Sequence, residues 1–276
     1  MKSAKQIVFI IIGAAMILLA VGLIFLKQGS DKGERLQGES GTRVFKGPVN
    51  ALIFEAGACE IDIVTGDTQD YILEYESLAH ATISDRLENG ELKITLDVDS
   101  AWSSKWLKSD LDDAKITLTI PKDAELESAL FDFGAADIAM EEITAKKLYL
   151  TVGAGELNAE RLTATELAKF NVGAGAFFAE DVALVNAELV CGVGEMEVSG
   201  IFDGDTTADC GVGSMELAVR GEQEEYRGEL NCGLGEIDFG NIEIDGSGKR
   251  SHGTSSAESR MNIKCGIGKV DVRFYK

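Results

Sequence analysis

The chain has 276 residues, a formal net charge of −21, two prolines and two histidines. Its length suits one or two domains, and its charge argues against nucleic acid or anionic lipid as a partner, since both need clustered Lys and Arg. Neither histidine, His80 or His252, lies in a repeated phrase, which disfavours histidine catalysis or a His-rich metal site.

Residues 1–6 form a short tail, and Ile7 to Leu26 is a run of twenty residues without a charge. At about 1.5 Å per residue a helix there covers roughly 30 Å, the thickness of a bilayer core. Lys2 and Lys5 precede it. Lys27, Lys32 and Arg35 follow, mixed with Asp31 and Glu34, so flanking charge orients the span only weakly. The long acidic remainder and the topology usual for a single N-terminal anchor place residues 1–6 in the cytoplasm and the bulk of the chain outside. A cleaved signal peptide is the rival reading. Its apolar core would be about 7–15 residues, ending in a small-x-small site, whereas this run is longer and ends Ile24-Phe25-Leu26-Lys27. An uncleaved anchor is therefore expected. Residues 27–42, polar and Gly-rich, read as a flexible tether.

From Arg43 the pattern becomes period two, with Val49, Ala51 and Ile53, then Ile61 and Ile63, on one face. Two further strand-like runs, His80 to Leu87 and Leu92 to Val98, flank Asn89-Gly90, a strong hairpin signal because both central residues need positive φ. Trp102 and Trp106 share one face of a short helical turn. It reads either as a lid over the first coil or as an exposed stacking surface for a glycan or partner. Lys115 to Pro121 is another strand, stopped by its proline.

The rest of the chain repeats one phrase. Val152-Gly153-Ala154-Gly155-Glu156-Leu157-Asn158-Ala159 returns with its glycine pair at Gly173 and Gly175, Gly192 and Gly194, Gly211 and Gly213, Gly233 and Gly235, and Gly266 and Gly268. Degenerate copies begin at Ala56 and Phe133, where Cys59 and Ala136 replace the second glycine. The core spacing is 19–20 residues, with later intervals of 22 and 33. Such self-similarity signals a repeat architecture. A unit this short cannot bury its own apolar face and must stack on a neighbour, at about 4.8 Å per coil. The expected fold is all-β: a single-stacked β-solenoid over 43–276, with elaborated coils over 43–128 and regular repeats over 129–276. The general chirality rule favours the right hand. Asp245 to Ser259 breaks the rhythm and reads as a mobile, solvated loop. The C-terminal coil ends almost on the last residue. Its open edge is expected to be shielded by a partner, a second copy, or the charges of Arg273 and Lys276.

Cys191, Cys210, Cys232 and Cys265 share one repeat position, held by Val152 and Val172 elsewhere, so an inward apolar slot filled by free thiols is the plain reading. A bridge such as Cys191–Cys210 stays open, because in-register neighbours fall within disulfide range. A metal or redox role lacks a CxxC pair or a histidine to support it. Glu197, Glu216, Asp238 and Asp271 form an outward column, with Glu195 and Glu236 beside it. Stacked like charges repel, and a Ca²⁺ ion would relieve them, but the glycine-rich calcium β-roll phrase is absent. A polysaccharide-active β-helix enzyme would need Lys, Arg and carboxylates gathered in a groove, and here the cations are scattered. No cofactor is called for.

Ile116-Thr117-Leu118-Thr119-Ile120-Pro121-Lys122-Asp123, then Phe131 to Ile138, the serial Gly-x-Gly-Glu phrases and the closing Ile263 to Val272 resemble the putative-adhesin β-strand-repeat family of bacterial envelope proteins, a domain of unknown function. The likeness covers roughly 43–276. It implies a β-solenoid without established catalytic residues, often carried on one N-terminal membrane helix and in some cases belonging to envelope-stress gene clusters. Together these readings point to a non-catalytic structural or protein-interaction module on the outside of a cell membrane. A Ca²⁺-dependent adhesion or glycan-binding rod is the alternative.

Overall fold

Alternation of buried and exposed side chains runs through almost every strand of this protein and decides which face of each strand is inside. The computed structural model describes residues 34–36, 40–57, 59–76, 81–98 and 115–276. The expected membrane span at 7–26, the tail before it, His80 and the segment of Trp102 and Trp106 lie outside those residues. Among the described residues no helix is long and apolar enough to cross a membrane.

The strands are β1 (Glu34–Leu36), β2 (Ser40–Phe45), β3 (Ala51–Ala56), β4 (Glu60–Gly66), β5 (Tyr71–Glu76), β6 (Ala81–Glu88), β7 (Glu91–Val98), β8 (Lys115–Pro121), β9 (Leu126–Val185), β10 (Ala187–Asp203), β11 (Asp205–Arg220), β12 (Tyr226–Cys232), β13 (Glu236–Phe239), β14 (Ile242–Asp245), β15 (Gly248–His252) and β16 (Ser259–Tyr275). They join one all-β sheet of stacked, solenoid-like levels. The β6–β7 hairpin turns at Asn89 (φ 51°) and Gly90 (φ 80°), as the Asn-Gly pair requires. Strand pairing starts earlier than the tether boundary implied, since β1 and the first residues of β2 fall within 27–42. Each pairs antiparallel with a strand of the body, β6 and β5 respectively.

The levels stack parallel and in register. Cys191 opposes Val172 on one side and Cys210 on the other, and Met196 opposes Phe177 and Met215. The inward column holds Phe54, Phe131, Phe133, Phe170, Phe177, Phe202 and Phe239, all fully buried. Rings interleave between and within levels: Phe54 meets Phe133 edge-on at 5.6 Å, and Phe170 meets Phe177 at 5.3 Å.

The glycine phrases make this close stacking feasible. A Cβ on Gly211 would sit 2.6 Å from the carbonyl oxygen of Gly192, and one on Gly153 the same distance from that of Gly134. The second glycines of the phrases stack in the order Gly155, Gly175, Gly194, Gly213, Gly268, Gly235. A Cβ on Gly175 would strike the Gly155 carbonyl, one on Gly268 that of Gly213, and one on Gly235 that of Gly268. Gly213 carries a φ of 141° as well, so a side chain there would be strained and would also strike the Gly194 carbonyl.

The levels do not follow one another in chain order at the ends. Cys265 stacks on Cys210, and Cys232 stacks on Cys265, so β16 slots between β11 and the β12/β13 level. The same device recurs at the other end, where β3 and β4 lie between β9 and the β7/β8 level. Two expectations change. The C-terminal coil has no open edge, because β16 is paired on both sides. Nor is Asp245 to Ser259 a solvated loop: β14 folds antiparallel onto β13, and β15 onto β12, leaving only a short turn after His252. The 33-residue interval exists because the chain must travel out, cover the outermost level and return. Antiparallel strands thus seal both ends, with β5 and β6 at one and β14 and β15 at the other. The outer strand β15 carries Lys249 and Arg250, a charged edge that discourages further strand addition.

Candidate functional site

Three side-chain columns run along the regular levels, and two of them were expected at the repeat spacing. The first is the thiol column, in the order Cys191, Cys210, Cys265, Cys232. All are free and buried, as is Cys59 at its separate position. Burial pushes the Cys265 thiol up to about 11, with the neighbouring Cys232 adding to the effect. Burial, helped by Glu60, pushes Cys59 up to about 12. The hydrogen bond between Cys191 and Cys210 raises Cys210 strongly, with burial adding to it. The same bond draws Cys191 down, yet both residues are wholly buried. Burial at 0 % exposure keeps both sulfurs out of reach of an external substrate or metal.

The second is the carboxylate column. Glu197, Glu216, Asp271 and Asp238 lie side by side on successive levels. The parallel column does not bring Glu195 and Glu236 together, because Ser214 and Lys269 stand between them. The chain supplies its own counter-charge. Lys269 Nζ donates to Glu236 at 2.8 Å and to Asp238 at 2.6 Å, and Arg273 Nη2 donates to Glu216 at 3.0 Å and to Asp271 at 2.7 Å. Among the described residues, only the Glu197 end lacks a cation in direct contact. Its carboxyl is raised by burial and by the negative charges of Glu216 and Glu195. Among the described residues no three acidic, histidine or cysteine side chains converge as a metal site. The repulsion that would recruit Ca²⁺ is largely relieved by Lys269 and Arg273, two residues that sequence reasoning did not connect to it.

The glycines of the repeat turn toward backbone and not toward a ligand space. Gly175, Gly235 and Gly268 each lie against a glycine of the adjoining level, so they act by keeping levels close and carry no chemistry of their own.

The third column was missed. The residue between each glycine pair points outward, and it grows from Ala154 and Ala174 to Val193, Val212, Ile267 and Leu234 along the stack. The four larger ones are 50 %, 42 %, 48 % and 68 % exposed. A signal was present in the sequence: aliphatic residues recur at the one position between the paired glycines, at Val193, Val212, Leu234 and Ile267. The ridge is followed along the strands by the carboxylates Glu195, Glu236, Glu197, Glu216, Asp271 and Asp238 with the cations Lys269 and Arg273, and preceded by the Asp209–Lys264 ion pair.

The family model described as Toastrack DUF4097 matches residues 49–263. The chain belongs to the Toastrack DUF4097 family. That match runs from just before β3 into the first residues of β16, so the β3/β4 level falls within the Toastrack region and β16 from Lys264 onward lies beyond it. Three solved structures are similar to this Toastrack chain. One is a putative cell adhesion protein from Clostridium sporogenes, 13 % identical, covering 86 % of this chain and 100 % of that one, with a TM-score of 0.37. Another is a putative adhesin from Bacteroides fragilis, 16 % identical, covering 85 % and 97 %, TM-score 0.40. The third is a putative lipid binding protein from Parabacteroides distasonis, 18 % identical, covering 87 % and 98 %, TM-score 0.39. No curated protein matches.

Proposed function

We propose that this Toastrack protein is a non-catalytic interaction module, anchored by Ile7–Leu26 in a cell membrane with the stack on the extracytoplasmic side, and that it engages a protein partner along the Val193–Val212–Ile267–Leu234 ridge. The observation that carries this reading is the ridge itself. Contiguous exposed aliphatic side chains on a rigid wall mark contact surfaces, and the glycine-tight backbone behind them holds their spacing. Charge complementarity defines the partner: an apolar strip flanked by Lys and Arg would meet the carboxylates bordering the ridge. The net charge of −21 disfavours an anionic lipid surface as the occupant. The twenty uncharged residues at 7–26 supply the anchor, and the buried thiols fit a scaffold better than a catalyst.

The test is site-specific photocrosslinking in native membranes, with the crosslinker at Leu234 or Ile267 and, as a control, at the exposed Asp67 between β4 and β5. A discrete protein adduct from the ridge positions and none from Asp67 is expected. Equal yields at all three positions, or no adduct from the ridge, would remove this reading.

A further inference from the structure

A second feature lies at the sealed C-terminal end of the stack, away from the ridge. The ladder between β12 and β16 pairs Arg227 with Arg260 and resumes at Leu230 and Ile263, skipping two residues on each strand. Side chains occupy the gap. The Glu229 amide donates to Asn262 Oδ1 at 3.1 Å, and His252 Nε2 donates to the Met261 carbonyl at 2.9 Å. The opening leaves a hollow of about 460 Å³, lined by Arg227, Arg260, Asn262, Thr254, Ser255 and Glu229 among others.

The charges in this hollow are unbalanced. Arg260 has a distant ion pair with Asp205 at 3.6 Å, and Glu229 is engaged by Lys249 at 2.8 Å. Arg227 makes no hydrogen bond or ion pair among the described residues, although its Nε is shielded from solvent. Arg227 as a whole is half-buried, but a guanidinium N–H shielded from solvent without an acceptor is costly, and native structures seldom leave one unmet. Two arginines directly opposite one another on adjacent strands also repel. An anion between them would relieve both defects. Gly253 contributes by its lack of a side chain, since a Cβ there would strike the Tyr226 carbonyl and the Arg227 backbone. The turn carrying Thr254 and Ser255 can therefore lie against Arg227 and offer hydroxyl donors.

We infer that the hollow bounded by Arg227, Arg260, Thr254 and Ser255 binds a compact oxoanion, a carboxylate or phosphate group borne by an envelope polymer or free solute. The guanidinium planes suit two-pronged hydrogen bonding to such groups. The site is independent of the ridge and of the membrane anchor.

The experiment is an NMR titration of the full chain in mild detergent, following the arginine Nε–Hε resonances at constant ionic strength. The probes are inorganic phosphate and glucuronate, with glucose as the neutral control. A saturable shift of the Arg227 resonance with one or both anions is expected, and which anion acts tells the phosphate source from the carboxylate source. Arg227→Gln should weaken binding about tenfold, and Arg227→Lys should weaken it less. Arg250→Gln, on the same edge but outside the hollow, should leave it unchanged. Should Arg227→Gln fail to fold, Arg260→Gln, at an exposed side chain, carries the same expectation. No saturable shift with either anion, or equal loss on Arg250→Gln, overturns the proposal.

Discussion

Cys265 is the direct parallel neighbour of Cys210, and Cys232, which precedes Cys265 in the chain, lies beyond it. The last strand is thus inserted between two levels made before it. Deleting Arg260 to Lys276 should therefore expose both β11 and the β12/β13 level. Hydrogen exchange should show protection lost in both, while the levels from Gly134 to Gly192 keep theirs, because each level depends mainly on its nearest neighbours. Retained protection in β11 would mean that β11 and β12 can pair directly, contrary to the order described.

Gly213→Ala should destabilise the stack by more than the roughly 1–3 kcal/mol of a strained backbone alone, because the new methyl also meets the Gly194 carbonyl. Gly246→Ala is the matched comparison. It too has positive φ, at 76°, but open space around the added Cβ. Denaturant midpoints of the two variants measure the difference, and equal losses would show that the close approach of levels is not what requires glycine.

The thiols should be silent toward a soluble disulfide reagent in the native protein and react fully once it is unfolded. The raised value of Cys265 carries a sign. Between the ordinary thiol value of 9.0 and about 11 for Cys265, the unfolded chain ionises while the folded chain keeps its proton. Stability from this group is therefore lost as pH rises through that window. Cys265→Val, which places there the residue that fills this column at Val152 and Val172, should flatten the fall in melting temperature above pH 9.

His252 works in the opposite sense. It stacks on Phe239 at 4.1 Å and donates to the Met261 carbonyl, while Nδ1 faces the Tyr226 carbonyl without closing a bond of ordinary geometry. Burial lowers its affinity for a proton below the ordinary value of 6.5, and the two carbonyls only partly offset this. The unfolded chain therefore binds the proton first on acidification. Stability from this group is complete above about 6.5 and declines as pH falls below it. His252→Gln, which keeps a donor for Met261, should weaken that acid dependence of the melting temperature. An unchanged slope would mean that other groups set it.

Period-two alternation and the glycine phrases made the faces and the phase of the regular levels legible from the chain alone, because side-chain direction in a strand is local; in β3 the reading chose the wrong face, since Leu52, Phe54 and Ala56 are buried and Ala51 and Ile53 are not. Lys115–Pro121 and the Asn89-Gly90 hairpin fell where local chemistry put them. The order of the levels was not legible. In-register stacking tells a strand which letter to oppose but not which copy, and Cys210 would accept Cys232 or Cys265 equally well on pattern. For the same reason Gly235 and Gly268 could each be placed in a glycine column, but not in their true order after Gly213. The long interval before Met261, read as a loop, was the trace of that rearrangement. The arginine hollow was hidden for a related reason, since Arg227 and Arg260 become neighbours only through the inserted strand. Lys269 likewise meets Glu236 and Asp238, and Arg273 meets Glu216, across levels that are distant in the chain.

The out-of-order terminal levels have a consequence for how such a molecule can change its reach over generations. Adding a copy after the last residue would find only the charged outer edge of β15 to dock on, and adding one before β3 would meet the antiparallel strands β1 and β2 that finish the other end. New units can be accommodated only in the middle, between Gly134 and Gly211, where each duplicated stretch of 19–20 residues would lengthen the protein by about 4.8 Å and leave both finished termini untouched.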